Sequence, residues 1–286
     1  MIKLTALSVG YCTHPACMAL KGAGRQEHVF PARSYLLETS RGIFLWDTGY
    51  AEHFHDATAR GVYRLYAKVT PVHFNCADSL EAQLGARGIL ASDVRGVFMS
   101  HFHGDHIAGL KDFPGATLFC SERGWEVHKD KRGVSALRRG FLPGLIPDDI
   151  ESRLAFVERF RPMALPQALA PFDQGFDVLG TGELFVIPLP GHAEGHLGAF
   201  VLTGNGWELL ASDAAWMPES YLELRGPSEL SFIIQHRRRA YYETLRKLNA
   251  LHRRSGVPIH LNHENPLARN HAGGQGNTPD NHVQAI

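Results

Sequence analysis

The stretch Ser100–Gly109 reads "SHFHGDHIAG", with His101, His103, Asp105 and His106 inside six positions. Such a density of ionisable side chains makes poor packing material and good ligand material. Imidazole and carboxylate together suit Zn, Fe or Mn better than Mg or Ca. On an extended chain, His101 and His103 project to the same side. Gly104 then lets the backbone turn before Asp105 and His106. The preceding "GVFM", Gly96–Met99, is a buried-strand run, so the cluster occupies a loop leaving a strand, where scaffolds carry their chemistry. Four ligands this close together cannot all serve one ion well. Two ions fit better, with His101 and His103 on one and Asp105 and His106 on the other. Each ion then needs donors from elsewhere in the chain.

Those donors stand downstream, each after a strand-like run. "LFVIPLPGHAEGH" supplies His192, with His196 as a further histidine; "GWELLASDAAW" supplies Asp213; "GVPIHLNHEN" supplies His263, with His260 as its competitor. A more ordinary role for Asp213 is to cap a helix.

The chain has 286 residues, enough to bury a substantial core, and its composition is globular, 44% hydrophobic and 20% charged. Lys+Arg and Asp+Glu are both 29. Zero formal net charge argues against nucleic acid or an anionic membrane as the main partner, because phosphate binding needs a basic field. Histidine is over-represented at 17 residues, which directs attention to ligands and proton carriers. The four cysteines, Cys12, Cys17, Cys76 and Cys120, form no C-x-x-C pair and read as free thiols. "MIKLTALSVGY" alternates like a strand rather than a leader, and no apolar run reaches the ~20 residues a membrane span needs. These features predict a cytoplasmic protein.

Strand-like runs recur at Ser34–Glu38, Gly42–Trp46, Ala116–Cys120, Leu184–Leu189, Ala199–Leu202 and Trp207–Ala211, with "TSRG" and "TGNG" as hairpin turns. Helical periodicity covers Asp78–Leu90 and Ser228–Arg254. The latter carries a basic face, "HRRR", "RK" and "HRR", read as a solvated helix side. Residues 124–171 are rich in Arg, Pro and Gly, with a helix-like piece around Asp148–Phe160, and read as an insertion forming a lid or substrate-facing element within a single domain spanning 1–264. Residues 265–286 form a polar tail expected to be flexible.

"DTG" at Asp47–Gly49, "HFHGDH", "PGH", "SDA" and "NHE" stand in the order and approximate spacing of the metallo-β-lactamase superfamily, across about residues 30 to 264. Within it, "PARSYLLETSRGIFLWDTG" most resembles the lead-in of the N-acyl homoserine lactonase branch. The resemblance implies an α/β (α+β) chain folded as an αββα sandwich, two mixed sheets face to face with helices outside. It implies His101, His103 and His192 on a first divalent ion, and Asp105, His106 and His263 on a second. Asp213 would bridge both, and buried Asp47 would orient the ligand loop. His263 is favoured over His260 because "NHE" matches the family's final motif. Zn2+ is the metal expected, with Fe or Mn as alternatives. The chain departs from that branch at Trp216, where the lactonases place a tyrosine whose phenol helps hold the lactone carbonyl; an indole N–H has a different reach.

The activity expected is hydrolysis of a lactone or other carboxylic ester, N-acyl homoserine lactone being the named candidate, with Asp105 and Asp213 as proton carriers. Thioester hydrolysis, as in glyoxalase II or an acyl or polyketide thioesterase, is the alternative. Phe54, Tyr63, Tyr66, Phe74, Phe141, Leu142 and Trp216 are candidates for an acyl pocket, each competing with plain core packing. The partner expected is a small acyl substrate, and the sequence is compatible with a dimer.

Overall fold

A computed structural model describes residues 1–233 and 235–264. The tail after Glu264, with His271 and His282, lies outside the described residues. β1 (Lys3–Pro15) and β2 (Glu27–Thr39) form a long antiparallel pair, and β3 (Gly42–Trp46) joins β2 across the two-residue turn that "TSRG" predicts. β4 (Val72–His73) borders β1, while β5 (Val94–Phe98), β6 (Thr117–Cys120) and β7 (Leu154–Phe156) continue from β3 as parallel strands. The first sheet therefore runs β4-β1-β2-β3-β5-β6-β7. The second is built from β8 (Pro162–Ala164), β9 (Gln174–Phe176), β10 (Leu184–Pro188), β11 (Leu197–Thr203), β12 (Gly206–Ser212) and β13 (Ile259–Leu261), in the order β13-β12-β11-β10-β9-β8. Only the β12–β13 pair in it is parallel.

Period-two alternation gives the central strands two apolar faces. On β3, Phe44 and Trp46 face the second sheet, while Leu45 faces outward into a separate apolar layer. On β10 and β11, Leu184, Val186, Leu197, Ala199 and Val201 face the first sheet; Phe185, Ile187 and Phe200 face the outer helical layer. Strands buried on both faces demand a cover on each side, and helices supply it: the two sheets enclose one core and helices close the outer faces. At its centre Trp46, Phe98 and Phe119 stack, with Phe98 and Phe119 centroids 4.6 Å apart.

Three elements differ from the sequence reading. The helix expected over Asp78–Leu90 spans only Leu80–Gly85, with the Ser79 hydroxyl accepting the Ala82 N–H at 3.1 Å; left-handed Gly88 follows its end. The helix expected from Ser228 starts at Arg238 and runs to Ser255. The reason is competition from a loop distant in the chain: His236 and Arg237 donate their N–H groups to the His192 and Gly191 carbonyls, at 2.8 and 2.9 Å, instead of continuing a helix. The basic face of that helix is exposed to solvent, as read, with Arg239 paired to Glu243 at 2.9 Å. The helix-like piece at Asp148–Phe160 is one turn, Ile150–Arg153, followed by β7. Residues 124–171 thus contribute an edge strand to each sheet.

Candidate metal centre

The chemistry-bearing residues lie at or just beyond the carboxyl ends of five strands. Asp47 follows β3, the His101–His106 cluster follows β5, His192 follows β10, Asp213 follows β12, and His263 follows β13. Parallel pairing of β3 with β5 and of β12 with β13 brings these ends to one edge of the sandwich.

Two ligand sets form there. His101, His103, His192 and Asp213 make one, and Asp105, His106 and His263 make the other; within each set the donor atoms lie within 4.8 Å of one another, and all are buried. His192 Nε2 stands 3.1 Å from both His101 Nε2 and His103 Nδ1 and 3.4 Å from Asp213 Oδ2. Asp213 also reaches the other set, with Oδ2 3.2 Å from His263 Nε2 and Oδ1 3.3 Å from His106 Nε2. Asp105 Oδ2 is 3.4 Å from both His106 Nε2 and His263 Nε2. All seven residues singled out by the sequence thus converge, and Asp213 touches both sets.

The polar atoms of this cluster call for cations. Asp213 Oδ1 is buried and accepts no hydrogen bond, a costly state for a carboxylate oxygen. Burial and the neighbouring imidazoles hold the His101 ring well below the ordinary histidine range, and burial does the same for His192. Both are therefore neutral, the form that ligates metal. In the second set burial acts against charge on His106, yet the carboxylates of Asp105, Asp213 and Asp47 raise it well above its usual value. Burial likewise opposes ionisation of Asp105, but His106 and His263 bring it down to about 2. This set is an anionic nest that takes up positive charge, and a divalent ion would satisfy it. An imidazole-rich first set and a mixed second set fit two Zn2+-like ions.

The surrounding residues fix the ligands. Asp47 is fully buried with φ +57, in the left-handed region, a strain seen mainly at functional sites. Its Oδ1 accepts the Ser100 N–H at 2.7 Å; its Oδ2 accepts the Ser100 hydroxyl and the His106 Nδ1–H, each at 2.8 Å. Asp47 therefore holds His106 with Nε2 toward the cluster. Thr48 adds N–H and hydroxyl bonds to the His106 carbonyl at 2.8 and 3.0 Å. Gly191, at φ +134, lets the "PGH" loop meet the helix at Arg238–Ser255, since a Cβ there would lie 2.3 Å from Tyr241. Gly104 is not left-handed; it opens the helical turn Gly104–Ile107, and an added Cβ would stand 3.3 Å from Leu142.

The rival histidines separate in space. His196 accepts the Asp213 N–H at 3.2 Å and bonds the Leu189 carbonyl through Nδ1 at 3.0 Å, so it buttresses the loop. His260 pairs with Glu208 at 2.6 Å, away from the cluster. Trp216 lines the adjoining cavity, and its indole N–H donates to Asp213 Oδ2 at 2.8 Å. Of the other acyl-pocket candidates, Tyr66 lines that cavity, Phe54, Phe141 and Leu142 are core, and Tyr63 and Phe74 pack against the core. Cys12, His14, Met18 and Phe30 also line it and carry no motif that would have marked them. Gln235, whose Oε1 lies 3.3 Å from His192 Nδ1, was equally invisible in sequence.

The Metallo-beta-lactamase superfamily model matches residues 29–254, and the chain belongs to that family. It is 32% identical over 185 residues to a Mycobacterium tuberculosis protein named "Probable metallo-hydrolase", across 63% of this chain and 55% of that one. It is 30% identical over 188 residues to the N-acyl homoserine lactonase AttM of Azorhizobium caulinodans, across 64% of this chain and 63% of the relative. The match therefore spans less than two thirds of either relative. An N-acyl homoserine lactone hydrolase with N-hexanoyl-L-homoserine at its catalytic metal centre superposes with a TM-score of 0.71 at 18% identity, over 94% of this chain and 95% of the other. That likeness shows the shared fold of two mixed sheets flanked by helices. No helix among the described residues is long and apolar enough to cross a membrane.

Proposed function

We propose that this chain is a dinuclear, Zn2+-dependent hydrolase that opens a lactone or cleaves a related carboxylic ester, with N-acyl homoserine lactone as the first candidate substrate. The observation that carries it is Asp213 shared between two ligand sets beside an apolar cavity of about 120 Å³. The similarity to AttM supports the choice of substrate class.

His101, His103 and His192 would hold one ion and Asp105, His106 and His263 the other, with Asp213 between them. Two such ions, when bound, supply a nucleophile by lowering the pKa of water from about 15.7 to about 7 and stabilise charge on the attacked carbonyl oxygen. The protein's part is placement. Trp216 fixes Asp213 through its N–H, so the indole is spent on the carboxylate rather than on the carbonyl of a substrate. Asp105, in the cavity wall, would take the proton released by the attacking water and pass it to the leaving oxygen. Met18, Phe30, Tyr66 and Trp216 offer the acyl chain an apolar surface and exclude water around it.

The test is proton release from a series of N-acyl homoserine lactones with Zn-loaded protein, metal content measured in parallel. Turnover that Asp213→Asn lacks supports the reading. Two bound metals without turnover of lactones, thioesters or other acyl esters would defeat it; turnover of thioesters alone would move the assignment to that class.

A further inference from the structure

Two cavities of opposite chemistry meet at the ligand cluster. The apolar one has Asp105, Asp213 and His263 in its wall. The other, about 410 Å³, is lined by Lys131, Arg138, Arg139, Gln235 and His236, with His192 in its wall. His103 faces both. The candidate centre thus stands as a partition between an apolar compartment and a cationic one.

The cationic compartment holds charge without a protein counter-ion. Lys131, Arg138 and Arg139 line it, and none of them forms a side-chain ion pair among the described residues. The acid in the same wall, Glu194, is already engaged by Arg123 and His236. Gln235 is 7% exposed; its Oε1 lies against His192 Nδ1, and its Nε2 has no partner among the described residues. A buried amide donor is left without a partner only at a cost unless an acceptor from outside meets it. The compartment is also tied to the centre through the His103 ring, which stands in its wall. Gly140, at φ +63, lets the backbone approach so closely that a Cβ would stand 2.6 Å from that ring.

Building on the hydrolase reading, we propose that the substrate carries an oxyanion, a carboxylate or a phosphate, held in this cavity by Lys131, Arg138 and Arg139 with Gln235 Nε2 donating to it. The ester lies at the centre, and the uncharged acyl or alkyl part enters the apolar cavity. The substrate class is therefore an anionic, amphiphilic ester or lactone rather than an uncharged N-acyl homoserine lactone, and Lys131, Arg138 and Arg139 of the segment 124–171 supply the selectivity for charge. The cations would also draw anionic substrates in from solution.

The experiment uses the Zn-loaded full chain and three 4-nitrophenyl esters: the monoester of adipic acid, its methyl-capped neutral counterpart, and the analogue ending in a phosphonate. A preference in kcat/KM of roughly tenfold or more for a charged ester over the capped one is expected from charge-assisted hydrogen bonds. That preference should shrink at about 0.5 M NaCl through screening. It should fall to within about twofold in a Lys131→Gln, Arg138→Gln double variant whose metal content matches wild type. Preference for the carboxylate or the phosphonate identifies the oxyanion. Equal turnover of charged and capped esters by wild type would overturn the anion site and leave the hydrolase standing. If no ester is cleaved, the hydrolase reading fails separately, and calorimetric titration with the monoanilide of adipic acid decides the anion site. Binding weakened at least about fivefold by Arg138→Gln upholds it, and equal binding overturns it.

Discussion

At the scale of single residues, the site is governed by which atom each side chain turns toward the centre. Asp47 spends both oxygens on Ser100 and His106. Asp47→Asn would set an amide N–H against the His106 Nδ1–H and should weaken metal binding at the second set by about ten- to a hundredfold, read by chelator competition. Trp216→Phe keeps an aromatic wall but removes the N–H from Asp213 Oδ2. Its expected signature is a lower kcat with KM nearly constant, because the carboxylate loses its orientation while the cavity keeps its shape. A rise in KM alone would instead assign Trp216 to substrate contact.

At the scale of elements, helices and loops act as clamps on the ligands. The helix at Glu122–His128 ends in His128, whose Nδ1–H donates to the Gly124 carbonyl at 2.7 Å and whose ring stacks on Phe102. Burial pushes His128 down to about 4. The unfolded chain takes up this proton near pH 6.5, whereas the folded chain resists it until about pH 4. The stability contributed by neutral His128 is thus full above pH 6.5 and lost as pH falls toward 4, by at most about 3 kcal/mol. Urea unfolding of wild type and His128→Phe between pH 4.5 and 7 should show the steeper loss in wild type; parallel curves would refute this. The stretch 235–237 is a second clamp. Its amide groups hold the "PGH" loop, which is why helical periodicity there does not become helix.

For the whole molecule, stability and the centre are linked. The seven candidate ligands come from four strand ends in both sheets, so bound cations would tie the two sheets together at one edge. Removing divalent metal with a chelator should lower the melting temperature and adding Zn2+ should restore it, since a ligand that binds only the folded state stabilises it by mass action. A scan insensitive to chelation would contradict resident metal. Between the sheets, Phe98→Ala empties the middle of the aromatic stack and should cost about 3–5 kcal/mol, measurable as a shift in the urea midpoint.

The sequence by itself determined the two-faced strands, the hairpin at Thr39–Gly42 and the seven candidate ligands. Alternation and short motifs are local properties, written into adjacent residues, and they survive in the fold wherever no distant partner competes. Tertiary structure decided what locality cannot encode. It turned His263 toward Asp213 and gave His260 to Glu208. It broke the helix expected from Ser228 by offering 236 and 237 the carbonyls of Gly191 and His192. It drew Gln235, Lys131, Arg138 and Arg139, which no motif marks and which span over a hundred positions, into one wall beside His192. These outcomes rest on hydrogen bonds and burial between residues far apart in the chain, and such partners exist only once both sheets have closed on their core.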